Sequence, residues 1–444
     1  MKFKIEQGTE LINSCGGLAL VGKILERLNL KKNIMSNFAV SKSEKTRAID
    51  VISSWVGLLS QGRSNYEDIS LFSDDPFFEN CLNLNHLYSS SRFRQITEEL
   101  SRPEVMKMVK NLNVMNLQGK NFGTIKLNGD ETEYIPCDLD VSPLDNSKSF
   151  KENVGRTYKG HDGYAPMLAY VGAEGYMLNC ELRPGTQHCQ KGTEDFLRET
   201  IAYLKELNIL DRAVIRMDSG NDATENVRIL KEAGVRFLIK RNLRRESREN
   251  WLDIAKSTGE IEEPREGKIV YTDTVNNIKP AGFTDDDLPV KIVVKATERT
   301  IDKKGNSLLI HDIDIETYWT NIDESATTVI RIYHDHGTSE QFHSELKSDM
   351  DIERLASGKF ATNSLILIMA MFTFNILREL GMKMLDFKEY APVKMNVSRK
   401  RIKSVLRDIV YTACKLVTHS GKILKFGRNC KWFDVFRKIY LSYC

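Results

Sequence analysis

Three carboxylates, Asp140, Asp218 and Glu340, stand where a divalent cation could be bound. Asp140 lies near the end of the alternating stretch YIPCDLDV, and Asp218 directly follows the apolar stretch AVIRM. Both stretches are typical of strands, and side chains at the carboxyl ends of buried strands in an α/β sheet face a common crevice. An ionised carboxylate there needs a compensating partner, and a hard cation with oxygen ligands is one. Each aspartate alone could equally be a turn residue, so only the set of three indicates a site.

The first strand carries two candidate aspartates, Asp138 and Asp140. Side chains alternate along a strand, so residues two apart point to the same face and periodicity cannot choose between them. Asp140 is nearer the carboxyl end, just before Val141, Ser142 and the turn-forming Pro143, where the crevice should lie. We therefore expect Asp140 to bind the cation and Asp138 to support it, by holding a metal-bound water or a nearby lysine.

Glu340 lies in a stretch that is predicted to be helical and has an unusually polar face. Tyr333, His336, Glu340, Ser344 and Lys347 follow one another at intervals of three and four residues, so they share that face. A carboxylate surrounded by hydrogen-bond donors suits a metal-bound phosphodiester. Glu340 is predicted to bind the ion, and Tyr333 and Lys347 to contact phosphates.

Two other interpretations of this face stay open. Histidines suggest zinc, but only His336, Glu340 and His343 share the face, whereas zinc sites usually take three or four ligands, so this interpretation ranks lower. The other is an ordinary solvent-exposed helix face with charge pairing.

The elements that must position these carboxylates are predicted for residues 124–380. Residues 124–241 give the order β-β-β-α-β-α-β, residues 242–325 give a mainly β insertion, and residues 326–380 return to helix and carry Glu340. Residues 1–123 are predicted to be helical, and basic residues such as Arg92 and Arg94 in SSSRFRQ suit a DNA-binding region, although the sequence shows no convincing helix-turn-helix signature. The fold class expected is therefore α/β, with helical regions on both sides of the core.

Residues 381–444 are predicted to form a basic helical region, although the formal net charge of the 444-residue chain is only +3. Arg399, Lys400, Arg401 and Lys403 belong to it. A basic stripe of this kind suits a polyanion such as DNA. The alternative is a solvated helix face without a partner.

Cysteines and apolar stretches bear on the cellular location. The eight cysteines include no CxxC pair, so neither a zinc ribbon nor a small disulfide framework is indicated. The apolar run at residues 365–374 is shorter than the roughly 20 residues that span a bilayer, and the N-terminus lacks the apolar run of a secretory signal. We expect a cytoplasmic protein without a membrane partner, and a buried helix at residues 365–374.

Several sequence blocks resemble those of bacterial insertion-sequence transposases of DDE domain group 1. They are DLDVSPLDNSKS, YKGHDGYAPMLAYVG, LRPGTQHCQKGTEDFL, RMDSGND, VRFLIKRN and YHDHGTSEQFHSELKSDMD. They occur in the family's order over roughly residues 124–380. The resemblance implies an RNase H-like catalytic core, whose element order is the β-β-β-α-β-α-β order given above.

The resemblance also implies roles for individual residues. The family's catalytic carboxylates fall on Asp140, Asp218 and Glu340, and its Tyr-x2-Arg-x3-Glu-x6-Lys signature falls on Tyr333, His336, Glu340 and Lys347. His336 replaces the arginine of the signature. We expect His336 to contact phosphate as a hydrogen-bond donor, although a histidine lacks the bidentate fork of arginine and is only partly charged near neutral pH.

The activity implied is DNA transposition by two-metal phosphoryl transfer. Two Mg²⁺ ions about 3.5 to 4 Å apart, for which Mn²⁺ could substitute, would be held by the three carboxylates. Water would attack at the end of the element, and the freed 3′-hydroxyl would then attack a second strand. The partners implied are double-stranded DNA, as terminal inverted repeats and as target, and a second copy of the chain in the synaptic complex. A bacterial, nucleoid-associated location follows.

Two rival functions remain. One is a nuclease of the same fold that hydrolyses DNA and cannot join strands. The other is a domesticated, catalytically silent protein that binds DNA as a regulator, which the presence of all three carboxylates disfavours.

Overall fold

The N-terminal region is helical, as its apolar spacing predicts. The structure is a computed structural model that describes residues 2–37, 40–126, 133–284, 289–302, 304–418 and 421–444. The helices of this region are α1 (Leu18–Arg27), α2 (Leu30–Asn37), α3 (Lys42–Leu59), α4 (Pro76–Leu82), α5 (Ser90–Glu99) and α6 (Pro103–Leu117). Helix α3 begins after Ser41, whose hydroxyl accepts a hydrogen bond from the Glu44 backbone N–H at 3.2 Å.

The middle of the chain folds around a large mixed sheet. Its elements are β1 (Ile125–Lys126), β2 (Glu133–Val141), β3 (Leu144–Asp145), β4 (Gly155–Arg156), β5 (Asp162–Tyr164), β6 (Met167–Val171), β7 (Tyr176–Glu181), α7 (Thr193–Glu206), β8 (Ala213–Met217), α8 (Thr224–Glu232) and β9 (Arg236–Lys240). The short strands β3, β5 and β4 form a separate small sheet. The long elements follow the predicted order β-β-β-α-β-α-β.

The core strands lie in the spatial order β7-β6-β2-β8-β9. Strand β2 is parallel to β8, which is parallel to β9, whereas β2 with β6 and β6 with β7 are antiparallel. The strand that carries Asp138 and Asp140 is therefore central, with the strand that leads to Asp218 beside it. This arrangement confirms the predicted α/β, RNase H-like fold class.

The insertion continues the same sheet. Its elements are α9 (Arg248–Thr258), β10 (Glu260–Arg265), β11 (Lys268–Ile278), β12 (Val290–Ile301) and β13 (Ser307–Thr320). Strand β13 pairs with β9, and β12, β11 and β10 follow outward. The predicted β content is confirmed, while the domain limits and the DNA-binding role of residues 1–123 remain predictions.

A cluster of one glutamate and two lysines connects the insertion to the core sheet. The Glu316 carboxylate on β13 accepts hydrogen bonds from Lys240 on β9 at 2.7 Å and from Lys295 on β12 at 3.1 Å. Burial by itself would raise the pKa of Glu316, but the hydrogen bonds and charges of the two lysines outweigh it and lower that pKa to about 2.

We expect Glu316→Gln to destabilise the protein near neutral pH by on the order of 1 kcal/mol, and to have less effect in acid. Because the folded-state pKa is lowered, ionised Glu316 stabilises the fold above its unfolded pKa of about 4.3, and this stabilisation is lost as the pH falls toward about 2. Thermal unfolding of both proteins at about pH 7 and about pH 3.5 would measure the difference. The same difference in midpoint at both pH values would contradict this assignment.

The two faces of the central strand have different neighbours. Ile135, Cys137 and Leu139 of β2 pack in one apolar cluster with residues of α7 and α8. Tyr134, on the other face, packs in a second cluster with residues of α10 (Ala326–His334). Since side chains alternate along a strand, Asp138 and Asp140 point to the face of the sheet that α10 covers. After α10 the chain continues into α11 (Ser339–Ser344).

A long buried helix, α12 (Phe360–Asp386), contains the apolar run at residues 365–374. By length and composition α12 could cross a membrane, but 83% of its most apolar window is buried inside the protein. It packs against α3, α6 and β7. A helix that is apolar on all sides is expected when other elements surround it, so the predicted buried helix is confirmed.

The C-terminal region contains α13 (Ile402–Val405), β14 (Cys414–Thr418), β15 (Lys422–Phe426) and α14 (Phe433–Leu441). The β14–β15 hairpin was not predicted. The alternative of a solvated basic face does not hold for Arg399 and Lys400, and binding of a polyanion by this region remains a prediction. The Lys400 ammonium is buried and lies 3.1 Å from Asp408, and Arg399 donates to the buried Glu345 carboxylate. Glu345 and Asp408 thus neutralise these cations inside the protein.

Candidate active site

The parallel register of β2 and β8 brings two of the three predicted carboxylates together. Leu139 pairs with Met217, so the next residues on the two strands, Asp140 and Asp218, are neighbours at the carboxyl ends. In-register side chains on adjacent strands point to the same face. The two aspartates therefore share one crevice, at the edge where ligands of α/β sheets bind.

Asp218 lies in a partly buried position beside a second negative charge. Burial, and then the charge of Asp140, raise the pKa of Asp218, while a hydrogen bond from the Asn221 side-chain amide at 2.6 Å acts in the opposite direction. The side-chain thiol of Cys189 donates to the Gly220 carbonyl at 2.9 Å. A cation between the two aspartates would relieve their repulsion.

Glu340 lies on α11, in a helical stretch whose pitch changes twice. A 3₁₀ turn at Asp335–Thr338 precedes α11, and a π-helical segment at Glu345–Asp349 follows it. The predicted single polar face is therefore divided, because each change of pitch rotates the residues beyond it. Glu340 is exposed to solvent, whereas His336 is turned inward.

The turn between β6 and β7 fixes α11 in place. Gly175 in this turn has φ of +73°, and a Cβ at that position would lie 2.3 Å from the Phe342 ring. Phe342 is the residue of α11 that packs on Tyr170 of β6, with ring centroids 5.2 Å apart. Only glycine satisfies both the backbone conformation and this close approach, so Gly175 helps to set where Glu340 stands.

The hydroxyl of Tyr158 is influenced by the charges of all three carboxylates. Burial, and then the charges of Asp140, Asp218, Cys189 and Glu340, raise the pKa of the Tyr158 hydroxyl. That hydroxyl donates to the Val141 carbonyl at 3.0 Å. Sequence reasoning did not single out Tyr158, although it lies in the block YKGHDG that carries the family resemblance.

Asp138 belongs to a buried ion cluster instead of the crevice. Arg216 donates to both oxygens of Asp138 at 2.6 and 2.7 Å, and the Nδ1 atom of His336 lies 2.9 Å from Asp138 Oδ1. Burial opposes ionisation, but Arg216 and His336 outweigh it and lower the pKa of Asp138 to about 2. Arg216 stands opposite Asp138 because the two are partners in the parallel register, a relation that aligning the two strands on their final aspartates would have revealed.

His336, expected to contact phosphate, is only 7% exposed and faces Asp138. Burial by itself would lower the pKa of His336, but the Asp138 carboxylate outweighs it and raises that pKa. Sequence reasoning paired Asp138 with water or a lysine, whereas the structure pairs it with Arg216 and His336.

His343 links the helix of Glu340 to Asp140. Its Nε2 atom lies 3.1 Å from Asp140 Oδ2, and its Nδ1 atom lies 3.3 Å from the Tyr170 hydroxyl. With the Nε2–H donating to the carboxylate, the Nδ1 atom accepts from the tyrosine, so the two contacts fix one tautomer. Sequence reasoning had considered His343 only as a zinc ligand.

Tyr333 and Lys347 both lie close to the aspartates. Burial, and then the charges of Asp218 and Asp140, raise the pKa of the Tyr333 hydroxyl. The Lys347 ammonium donates to the Pro143 carbonyl at 2.6 Å, and burial lowers the pKa of Lys347. A hydroxyl and an ammonium thus lie near the aspartates, and their contact with phosphate remains a prediction.

The side chains around the crevice form only part of a binding site for a hard divalent cation. Asp140 and Asp218 supply oxygen ligands and mutual repulsion, which fit such an ion. Among the described residues, no three His, Cys, Asp or Glu side chains come together closely enough to hold one metal ion. Glu340 would therefore have to approach the aspartates for all three carboxylates to bind together, and no zinc cluster is present in the described part of the chain.

Comparison with known proteins assigns the family. A cryo-EM structure of the piggyBac transposase synaptic complex with hairpin DNA is similar, with a TM-score of 0.40 and 12% identity, over 89% of this chain and 78% of that one. No curated protein matches the chain. The family model described as transposase DDE domain group 1 matches residues 2–442. Since this match spans nearly the whole sequence, the chain belongs to the transposase DDE domain group 1 family.

Proposed function

We propose that this transposase cuts DNA at the ends of an insertion sequence and joins the freed ends to target DNA in a reaction that depends on divalent cations. The observation that carries the proposal is the pair Asp140 and Asp218 at the carboxyl ends of adjacent parallel strands, with Glu340 on a helix that faces the same crevice. DDE transposases generally use divalent metals. We propose Mg²⁺ as the natural ion, with Mn²⁺ able to substitute.

The protein's own groups would mainly bind and orient the substrate. Asp140 and Asp218 would hold the cations with Glu340 as the third carboxylate, and two ions are proposed per site. When bound, such ions polarise a phosphodiester and lower the pKa of the attacking water. Lys347 and Tyr333, beside the aspartates, would contact phosphate oxygens and neutralise charge. His336 would act indirectly, because it contacts Asp138 and is turned away from solvent.

The proposed partners follow from the reaction. Two element ends must be joined to one target, so we propose a homodimer in the complex with double-stranded DNA that carries terminal inverted repeats. A nucleoid-associated, cytoplasmic location is proposed for the same reason. The helical N-terminal region is proposed to recognise the element's ends.

Two DNA substrates test the proposal. A labelled duplex that carries the inverted repeat flanking the gene should be cut in Mg²⁺ and not in EDTA. A duplex that is already cut at the 3′ end should be joined to a plasmid by the same protein. Cleavage without joining would identify a nuclease, and binding without either reaction would identify a silent DNA-binding regulator; each result would reject the proposed function.

A further inference from the structure

A polar pocket of about 520 Å³ lies directly beside Glu340. Its walls come from α11 and from the segment before α13, and include Gln341, Ser344, Ser398, Arg399 and Arg401. Ser344 follows Glu340 by one helical turn, about 6 Å along the helix axis. The pocket therefore begins next to the proposed third metal ligand.

Buried carboxylates hold the arginines of this pocket in fixed orientations. Glu345, which is 1% exposed, accepts hydrogen bonds from Arg378, Arg399 and the Ile402 backbone N–H. Asp349 accepts two from Arg401, at 2.8 and 3.0 Å. The lining of the pocket contains two arginines, Arg399 and Arg401, and two glutamates, Glu340 and Glu345, and Glu345 is the one that is buried against arginines. The carboxylates are already satisfied, so they orient the arginines without closing the pocket.

Arg401 has N–H groups that can still donate hydrogen bonds to a ligand. Its side chain is 51% exposed, and its Nη2 atom donates to the Ser344 hydroxyl at 3.2 Å and to Asp349. Among the described residues, its Nη1 atom makes no hydrogen bond. A planar guanidinium held on one side and open on the other is suited to an anion with several acceptor oxygens.

We propose that this pocket binds a backbone phosphate of DNA next to the phosphodiester that is cut. Arg401 would donate from Nη1 to a phosphate oxygen, and the Ser344 and Ser398 hydroxyls would supply further donors. The lining is polar and open, which fits a solvated phosphate better than an apolar ligand. This inference rests on the proposed function, since it takes Glu340 to lie at the cleavage site.

Equilibrium binding without divalent cations tests the contact separately from catalysis. The probe is a fluorescent duplex that carries the terminal inverted repeat, titrated with the full-length protein over a range of salt concentrations. Loss of one phosphate contact reduces the slope of log affinity against log salt by about 0.9. We expect this reduction for Arg401→Gln, and a slope near that of the wild type for Arg401→Lys, which keeps the charge.

Arg198→Gln is the matched control, because Arg198 is 54% exposed and ion-paired but lies on α7, across the sheet from the carboxylates. Its slope should equal that of the wild type. Equal slopes for Arg401→Gln and Arg198→Gln would overturn the proposal. A thermal unfolding midpoint close to that of the wild type would show that Arg401→Gln is folded.

Neutral methylphosphonate linkages, introduced one at a time, locate the phosphate. They are placed in the element-end duplex and, separately, in a target duplex offered with a pre-cut end. We expect one position to weaken binding by the wild type and to have no further effect with Arg401→Gln; the duplex that contains it identifies the source. If every position weakens both proteins equally, the pocket does not bind phosphate. Neither binding test needs cleavage, so failure of the catalytic assignment would be seen separately.

Discussion

Glu340→Gln is expected to reduce metal-dependent cleavage of an element end by at least about 1000-fold while leaving DNA binding nearly unchanged. Charge stabilisation by a bound cation is worth several kcal/mol, and each 1.4 kcal/mol is tenfold in rate. Glutamine keeps the size of the side chain and removes the charge that binds the ion. Cleavage of a labelled duplex in Mg²⁺ and anisotropy without metal measure the two properties.

Glu340 and Glu345, the two glutamates of the helical stretch around α11, lie in different environments. Glu345 is buried between Arg378 and Arg399, so it is already neutralised, whereas Glu340 is exposed at the crevice. Glu206→Gln, at an exposed position at the end of α7, is the control that removes one carboxylate far from the site. Near-normal cleavage by Glu340→Gln in Mg²⁺ would refute the assignment.

Asp138→Asn and Asp140→Asn are expected to differ in their effects on stability and on the cleavage rate. Asp140→Asn should abolish detectable cleavage with little change in stability, because Asp140 is a partly exposed, proposed metal ligand. Asp138→Asn leaves the buried Arg216 guanidinium without its anion, which costs about 3 to 5 kcal/mol of stability. Its cleavage rate should fall about 10 to 100-fold and recover in part in Mn²⁺. Thermal unfolding and cleavage assays on both proteins check this.

A variant that also removes the unpaired Arg216 guanidinium provides the control. The double variant Asp138→Asn/Arg216→Met should be more stable than Asp138→Asn alone, since a buried ion pair replaced on both sides costs less than one that is broken. An inactive but fully stable Asp138→Asn protein beside an active Asp140→Asn protein would reverse the roles of the two aspartates.

Local pattern determined much of this protein. Alternation in YIPCDLDV and the apolar stretch AVIRM placed the core strands, and their order predicted the fold. The same patterns put Asp140 and Asp218 at strand ends, because burial of one face repeats at short, regular intervals along a strand. The apolar run within α12 likewise indicated a buried helix.

The tertiary structure determined which charged side chains contact each other. Asp138 and Asp140 have the same local pattern, and the register with β8 is what places Arg216 opposite the first and Asp218 beside the second. The changes of pitch around α11 turned His336 inward and left Glu340 exposed. Arg399 and Arg401 found partners more than 50 residues away in sequence. Periodicity specifies the face of a side chain, whereas its partner is set by how distant elements align, and that alignment is fixed only when the whole core packs.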